Sequence, residues 1–161
     1  MDDSSNRMVI GLISDTHGLL RPSVHSALAG VDLILHAGDV GGDDILMELA
    51  IIAPVKAVYG NTDDMTDPNL TNEISITEAG VSIHVSHGHE VGNPTAERLL
   101  AKYRHDVVVY GHTHRQLVSR IGNQLLVNPG AAGQQRFKLL PTLARLSIEN
   151  GYADVEIIAL D

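Results

Sequence analysis

Two histidines at the end of an apolar run are the residues whose spacing first suggests chemistry. Gly111-His112-Thr113-His114 follows the run Asp106–Tyr110. Both imidazoles are therefore expected at the carboxyl end of a buried strand, where open α/β sheets place their ligand sites. In an extended chain the two side chains fall on the same side, about 6.6 Å apart along the backbone. That spacing suits two cations with one imidazole each at least as well as one ion. Taken alone, the pair is equally compatible with two partly exposed histidines.

Four other apolar runs, each typical of a buried strand, also end in side chains that bind metals. In chain order, these side chains are Asp15, His17, Asp39, Asn61 and His87. Taken singly, Asp15 could instead cap a helix and Asn61 could be a turn residue. The carboxyl ends of parallel strands meet at one edge of a sheet. The five strand ends together therefore predict one shared site.

The elements that must position these residues alternate between strand and helix. Strands are predicted at Met8–Ser14, Val31–His36, Val55–Tyr59, Val81–Ser86 and Asp106–Tyr110, with another β-rich run at Asn72–Thr77. Helices are predicted over Leu19–Leu28, from a cap at Asp43 or Asp44 to Ala50, and from Asn93 or Thr95 to Tyr103. Repeated β-α units indicate parallel strands joined by crossover helices.

The last third of the chain has a different pattern, with two hairpins and no helix between them. Gly122-Asn123 joins the first pair of β-rich runs, and Asn150-Gly151, a strong type I′ signal, joins the second. From the pattern alone, one α/β domain over residues 1–161, with a mixed sheet facing an antiparallel sheet, accounts for the chain.

Composition narrows the chemistry and the partners. The 161 residues contain no cysteine, so a metal must be held by nitrogen and oxygen ligands, and nine histidines favour metal binding. A formal charge of −9 argues against binding of long nucleic acid on a broad basic face. A polar start and the lack of a long apolar stretch predict a cytoplasmic protein with no membrane partner.

In order and spacing, the motifs resemble the signature of the calcineurin-like metallophosphoesterases: Asp-x-His, Gly-Asp, Gly-Asn-x-Asp, His-Gly and Gly-His-x-His. Ser14-Asp15-Thr16-His17-Gly18, His87-Gly88-His89 and Asn128-Pro129-Gly130 are most similar to the small, YfcE-like phosphodiesterases of bacteria and archaea. The resemblance covers nearly the whole chain. It implies a four-layer α/β-β/α sandwich of two mixed β-sheets flanked by helices.

Carried over residue by residue, the resemblance implies two divalent metal ions. One would be held by Asp15, His17 and His114, the other by Asn61, His87 and His112, with Asp39 bridging them. These ligand types suit Mn²⁺, which we expect first, as well as Ni²⁺, Fe²⁺ or Zn²⁺. A hydroxide bridging the metals would attack the phosphorus of a small phosphodiester or phosphoester, with Asp39 and Asn61 among the catalytic residues. The family also implies a homo-dimer or higher homo-oligomer.

The chain departs from many relatives at Thr62, where they have a histidine thought to assist the leaving group. This leaves the general acid unassigned, and His89 is the candidate here, the alternatives being that it supports a ligand or contacts substrate. Arg21 and Arg136 are candidate phosphate contacts. Two functional alternatives remain: a nonenzymatic interaction scaffold of the retromer-subunit type, and a phosphomonoesterase or nucleotide hydrolase.

Overall fold

The computed structural model describes residues 6–136 and 138–161, and within them the chain forms ten strands and three α-helices. The strands are β1 (Arg7–Ile13), β2 (Leu33–His36), β3 (Val55–Ala57), β4 (Ile74–Glu78), β5 (Val81–Val85), β6 (Val107–Val109), β7 (Leu117–Ile121), β8 (Gln124–Asn128), β9 (Thr142–Glu149) and β10 (Tyr152–Ala159). The helices are α1 (Ser23–Ala27), α2 (Asp43–Ile52) and α3 (Ala96–Lys102), and a short 3-10 helix spans His89–Val91.

The strands form two five-stranded sheets, and both sheets are mixed. The first has the order β10-β9-β1-β2-β3, with β1, β2 and β3 parallel and β9 antiparallel to β1. The second has the order β4-β5-β6-β8-β7, with β5, β6 and β8 parallel. The resemblance predicted this arrangement correctly.

The prediction of a separate antiparallel sheet, made from the pattern alone, was wrong, although both hairpins form as predicted. The β7–β8 hairpin joins the second sheet through β8, which runs parallel to β6. The β9–β10 hairpin joins the first sheet through β9. A turn signal identifies which two strands pair with each other. It carries no information about which strand the hairpin meets next.

Three apolar clusters give the four layers of the fold. The central cluster fills the space between the sheets, with side chains such as Leu12 and Leu35 facing Ile83 and Val109. A second lies between the first sheet and helices α1 and α2, and a third lies between the second sheet and α3. The sheets therefore pack face to face with helices outside them, which brings their strand ends to common edges.

Two of the three predicted helix starts differ from the structure in detail. Helix α1 begins at Ser23 rather than Leu19, because Pro22 disfavours helical backbone in the residue before it. Helix α2 has Gly42 at its N-cap, so Asp43 and Asp44 lie in its first turn instead of capping it. For α3 the prediction is confirmed, since Thr95 is the N-cap and its side chain accepts a hydrogen bond from the Arg98 amide.

Of the helices in the described residues, none is both long and apolar enough to cross a membrane.

Candidate metal site

All seven predicted metal ligands lie in loops that follow the carboxyl ends of parallel strands, at one edge of the sandwich. Asp15 and His17 follow β1, Asp39 follows β2 and, a few residues beyond the end of β3, comes Asn61. From the second sheet, His87 follows β5, and His112 and His114 follow β6. Both sheets therefore contribute to one site, and the face-to-face packing brings the two sets of side chains together.

One group of ligand atoms is centred on the buried carboxylate of Asp15. Its Oδ1 lies 3.4 Å from His114 Nε2 and 3.8 Å from His17 Nε2, and these two imidazole nitrogens are 3.4 Å apart. Asp15 Oδ2 accepts hydrogen bonds from the Ser14 hydroxyl at 2.6 Å and the His112 amide at 3.2 Å. These bonds orient the carboxylate so that Oδ1 faces the imidazoles.

The second group is centred on His87, which is fully buried. Its Nε2 lies 3.2 Å from Asp39 Oδ2 and 3.0 Å from Asn61 Oδ1, and His112 Nδ1 lies 3.2 Å from the same amide oxygen. Asp39 Oδ2 is also 3.6 Å from His17 Nε2, so it faces both groups. Asp15 Oδ1 approaches His87 Nε2 to 3.9 Å, which places Asp15 near the second group as well as the first.

His112 and His114 diverge for a reason that the sequence did not predict. The extended backbone assumed for them is not present, because both residues adopt left-handed conformations, with φ of 72° and 65°. His112 turns toward Asn61 and His114 toward Asp15 and His17. The structure thus places one imidazole in each group of side chains, and backbone conformation rather than strand alternation separates the two rings.

Left-handed backbone is concentrated at this site. Among the described residues, seven non-glycine residues have positive φ, and five are predicted ligands: Asp15, His17, Asp39, His112 and His114. This conformation costs an L-residue about 1–2 kcal/mol. Loop-to-loop hydrogen bonds hold it here, including those from the Asp15 amide to Gly38 O and from the His17 amide to Asp39 O, each 2.9 Å.

Two glycines allow the loops to approach this closely. A Cβ on Gly60 would collide with the Asp39 carboxylate and backbone nitrogen, and a Cβ on Gly111 would collide with the side chains of Ser14 and Asp15. The glycines of the Gly-Asn and Gly-His-x-His motifs are therefore required by close contact with the ligands rather than by a turn alone.

Side chains outside the predicted set brace the loops. The Asp63 carboxylate accepts hydrogen bonds from the amides of Val40, Gly41 and Gly60 at 2.9–3.1 Å, joining the second and third loops. Asn128 donates to Gly111 O and to the Thr113 hydroxyl, which supports the loop after β6. Asp63 and Asn128 both belong to motifs quoted from the sequence, but their hydrogen bonds to the loops are visible only in the structure.

Thr62 makes direct contact with the predicted bridging ligand. Its hydroxyl and its amide both donate to Asp39 Oδ1, at 2.7 Å and 3.0 Å. The other carboxylate oxygen, Oδ2, is the one that faces His17 and His87. The residue that stands in place of a family histidine thus fixes the orientation of Asp39.

Charges within the site shift two pKa values in opposite directions. Burial alone would raise the pKa of Asp39, but the hydrogen bond and positive charge of His87, with the two bonds from Thr62, hold that pKa well below its ordinary value. Burial alone would lower the pKa of His87, but the nearby Asp39 and Asp15 carboxylates raise it. The ionised carboxylate and the imidazolium stabilise each other.

The arrangement of donor atoms fits divalent cations. Because a carbonyl can only accept, His87 Nδ1 carries the proton donated to Ala37 O at 2.8 Å. Nε2 is therefore the atom that would bind a cation, in place of the second proton of the charged ring. Among the described residues, the buried Asp15 Oδ1 has no hydrogen-bond partner, although three imidazole nitrogens lie within 3.9 Å. A cation between these atoms would satisfy both the carboxylate and the nitrogen lone pairs.

Two groupings of possible ligands have all their donor atoms within 4.8 Å of one another: Asp15 with His17 and His114, and Asp15 with Asp39 and His87. The first is the grouping that the resemblance assigned to one metal. The second differs from the resemblance, which assigned Asp39 and His87 to the other metal without Asp15.

His89 and Arg136 lie near this centre, whereas Arg21 makes its contacts elsewhere. The His89 ring is 5.4 Å from that of His87 and 6.3 Å from that of His112, centroid to centroid. The charge of Arg136 contributes to lowering the pKa of His17, chiefly a result of burial, so this arginine is close to the site. Arg21 instead donates to the carbonyls of Gly133 and Asp161, which gives it a role in bracing the chain.

The family follows from sequence comparison as well as from this geometry. A profile of the calcineurin-like phosphoesterase superfamily domain matches residues 8–151, and the chain belongs to that superfamily. A probable metallophosphoesterase of Methanothermobacter thermautotrophicus is 35% identical over 159 residues, covering 94% of this chain and 92% of the relative. A phosphodiesterase of Methanocaldococcus jannaschii is 29% identical, covering 76% of this chain and 83% of the relative. The resemblance in the motifs is confirmed.

Solved structures show the same fold. The crystal structure of a Vps29 mutant from Entamoeba histolytica superposes with a TM-score of 0.79 at 23% identity, covering 96% of this chain and all of that one. The structure of a novel archaeal phosphodiesterase superposes with a TM-score of 0.73 at 26% identity, covering 94% of this chain and all of that one. The fold is therefore shared by a protein described as a phosphodiesterase and by proteins described as vacuolar protein sorting 29.

Proposed function

We propose that this protein is a metal-dependent phosphodiesterase with two divalent cations, acting on a small phosphodiester in the cytoplasm. The observation that carries the proposal is the convergence of imidazole nitrogens and carboxylate oxygens around Asp15 and Asp39, including the buried Asp15 Oδ1, which has no hydrogen-bond partner among the described residues. The superfamily assignment and the relative described as a phosphodiesterase support the same reaction class.

The proposed ligands follow the two groups seen in the structure. Asp15, His17 and His114 would hold one cation and Asn61, His87 and His112 the other, with Asp39 Oδ2 shared between them. Two cations bound there would supply Lewis acidity, lowering the pKa of water at the site and neutralising charge on the phosphoryl oxygens. Mn²⁺ is the cation expected first, with Ni²⁺, Fe²⁺ and Zn²⁺ as the alternatives compatible with nitrogen and oxygen ligands.

The chain itself supplies orientation and proton transfer. Thr62 keeps Asp39 Oδ1 occupied, so that only Oδ2 turns toward the centre. The Asn61 amide nitrogen can donate to a phosphoryl oxygen, and Arg136 brings a positive charge to the rim. We assign to His89 the delivery of a proton to the departing alcohol, because the Thr62 hydroxyl is not an acid at neutral pH.

The role of His89 is tested by comparing how much its replacement slows the hydrolysis of substrates with different leaving groups. A His89→Gln variant should hydrolyse a phosphodiester with an alkyl leaving group about 100-fold more slowly than the wild type, the scale of general acid catalysis. A p-nitrophenyl leaving group needs little protonation, so its rate should fall by less than about threefold. Equal losses for both substrates would show that His89 does not protonate the leaving group.

The main experiment begins with metal-stripped protein assayed on bis(p-nitrophenyl) phosphate and on p-nitrophenyl phosphate. Mn²⁺, Ni²⁺, Zn²⁺ and Mg²⁺ are added back separately. Restoration of diesterase activity by a transition metal is expected, with the Asp39→Asn and His112→Ala variants at least about 1,000-fold slower. Asp154→Asn and His25→Ala change the same residue types outside the site and should retain wild-type rates.

Other outcomes would change the function. Preferential hydrolysis of the monoester would favour a phosphomonoesterase or nucleotide hydrolase. Tight metal binding without turnover of either ester would favour the interaction scaffold, a candidate supported by the fold shared with Vps29 proteins. Wild-type rates in a folded Asp39→Asn variant would contradict the two-metal phosphodiesterase.

A further inference from the structure

A small pocket beside the second ligand group contains none of the proposed metal ligands. Its volume is about 130 Å³, and its lining includes His89, whose ring centroid lies 5.4 Å from that of His87 and 6.3 Å from that of His112. The lining also includes Tyr59, two residues before the ligand Asn61. The pocket therefore lies one imidazole ring away from the second ligand group, close enough for a substituent on a phosphorus atom bound there to extend into it.

The inner wall of the pocket is rigid and carries a fixed negative charge. The buried Tyr103 ring stacks on His84 at 3.6 Å between centroids, and its hydroxyl donates to Glu90 Oε2 at 2.8 Å. Glu90 Oε1 accepts from the Gly88 amide at 2.9 Å. Burial alone would raise the pKa of Glu90, but the nearby Ser86 hydroxyl and these hydrogen bonds from Tyr103 and Gly88 lower it, which keeps the carboxylate ionised at neutral pH.

The rim adds polar groups of mixed charge. Glu73 lies 3.2 Å from His84 Nε2, which holds its carboxylate at the pocket, and Asn72 contributes an amide that can donate and accept. Lys102 is the cation of the lining, and its ammonium lies 5.5 Å from the centre of the Tyr103 ring. Two carboxylates and one ammonium leave the lining negative.

Charge and size together define what the pocket can hold. Carboxylate and amide oxygens accept hydrogen bonds from hydroxyl groups, while a second phosphate or carboxylate would meet like charge. Sites for drug-sized ligands are about 300–1,000 Å³, so a nucleoside is too large for this pocket. The tyrosine rings offer apolar faces for the carbon atoms of a short alcohol.

We propose that this pocket selects the alcohol part of the substrate, and that the substrate is a phosphodiester of a short, uncharged alcohol with several hydroxyl groups. This inference rests on the proposed phosphodiesterase function and narrows its substrate class. The binding energy comes from hydroxyl hydrogen bonds to Glu73, Glu90 and Asn72, with like-charge repulsion excluding anionic alcohols.

Three matched substrates test the selection directly. Each carries one p-nitrophenyl group on phosphate, and the other ester group is propyl, 2,3-dihydroxypropyl or 2-carboxyethyl. With the metal-reconstituted protein, kcat/KM for the dihydroxypropyl ester should exceed that for the propyl ester about tenfold, the value of two net hydrogen bonds. The carboxyethyl ester should be the poorest of the three.

Two variants connect this selectivity to the pocket. Asn72→Leu should reduce the dihydroxypropyl-to-propyl ratio from about tenfold to about threefold, because it removes one of the hydrogen bonds. Asn69→Leu, three residues earlier and lining a different groove, should keep the wild-type ratio. Glu73→Gln should raise kcat/KM for the carboxyethyl ester about threefold relative to the propyl ester, because it removes one like charge.

The outcomes separate this inference from the function on which it rests. Similar kcat/KM values for all three esters, with bis(p-nitrophenyl) phosphate still hydrolysed, would overturn the selection of hydroxylated alcohols and leave the phosphodiesterase intact. A wild-type ratio retained in Asn72→Leu would place the selection elsewhere. Failure to hydrolyse any diester would overturn the proposed function and the inference together.

Discussion

The two edges of the β-sandwich use the same backbone conformation in different ways. At the metal-site edge, left-handed residues such as Asp39 and His112 carry the proposed ligands and lie in loops bonded to one another. At the opposite edge, Ala79 and Asn150 adopt it in hairpin turns, each followed by a glycine with positive φ. The turn residues satisfy local geometry alone, whereas the ligand loops depend on contacts between distant parts of the chain.

This difference predicts that small changes are tolerated at the hairpin edge and damaging at the metal-site edge. The sequence looks alike at both, since each is rich in glycine and asparagine. What separates the edges is the space around the backbone. Gly60 is packed against Asp39, whereas no described atom lies within 4 Å of a Cβ placed on Gly122.

The largest contrast is expected between Gly60→Ala and Gly122→Ala. The methyl group at residue 60 would displace Asp39 and should weaken Mn²⁺ binding about 100-fold, since overpacking costs up to about 3 kcal/mol. At residue 122 the strained φ of 60° should lower the free energy of unfolding by about 1 kcal/mol and leave Mn²⁺ binding unchanged. Calorimetric titration and urea unfolding measure the two quantities. Equal Mn²⁺ affinities in both variants would remove the proposed difference between the edges.

The next effect concerns acid sensitivity at the metal-site edge, through the buried His36. Its ring accepts from the Gly38 amide and contacts the Thr16 hydroxyl at 3.0 Å. Burial lowers the pKa of His36 from 6.5 to about 4, with Asp15 acting in the opposite direction. The folded state therefore holds a neutral ring while the unfolded chain takes up a proton, so stability is full above pH 6.5 and falls as the pH drops toward 4.

His36→Gln isolates that contribution in the metal-free protein. The wild-type free energy of unfolding should lose about 3 kcal/mol between pH 6.5 and pH 4 through this residue, at 1.36 kcal/mol for each pKa unit. In the His36→Gln variant the free energy of unfolding should lack this part of its pH dependence. His25→Gln, on the exposed face of α1, should retain it. An unchanged slope in His36→Gln, measured by urea unfolding across this range, would show that another group is responsible.

A smaller effect is expected from the single hydroxyl of Thr62. Thr62→Val removes its hydrogen bond to Asp39 Oδ1 but keeps the backbone amide bond, and should weaken Mn²⁺ binding about tenfold. Thr62→Ser restores a hydroxyl and should bind within about twofold of the wild type. Because the readout is metal affinity, it does not depend on turnover. Identical affinities for the valine and serine variants would mean that the hydroxyl does not position Asp39.

Much of the fold was predictable because local rules decided it. The apolar runs gave the strands, Thr95 gave the start of α3, and Gly-Asn and Asn-Gly gave the hairpins. The edge at which the ligands meet also followed, since parallel strands present their carboxyl ends on one side. The sheet that each hairpin joins did not follow, because that choice depends on burial between layers far apart in sequence.

By itself, the sequence determined the superfamily, the residue types available to a metal and the strand ends that carry them. Tertiary structure alone decided that Asp15 Oδ1 faces three imidazoles, that Thr62 and Asp63 hold the loops of Asp39 and Asn61, and that His112 and His114 diverge. The physical reason is that left-handed backbone and a buried carboxylate are both unfavourable on their own. They are stable here only because other loops supply hydrogen bonds to them. Those contacts join residues as much as 97 positions apart, a distance over which local sequence rules carry no information.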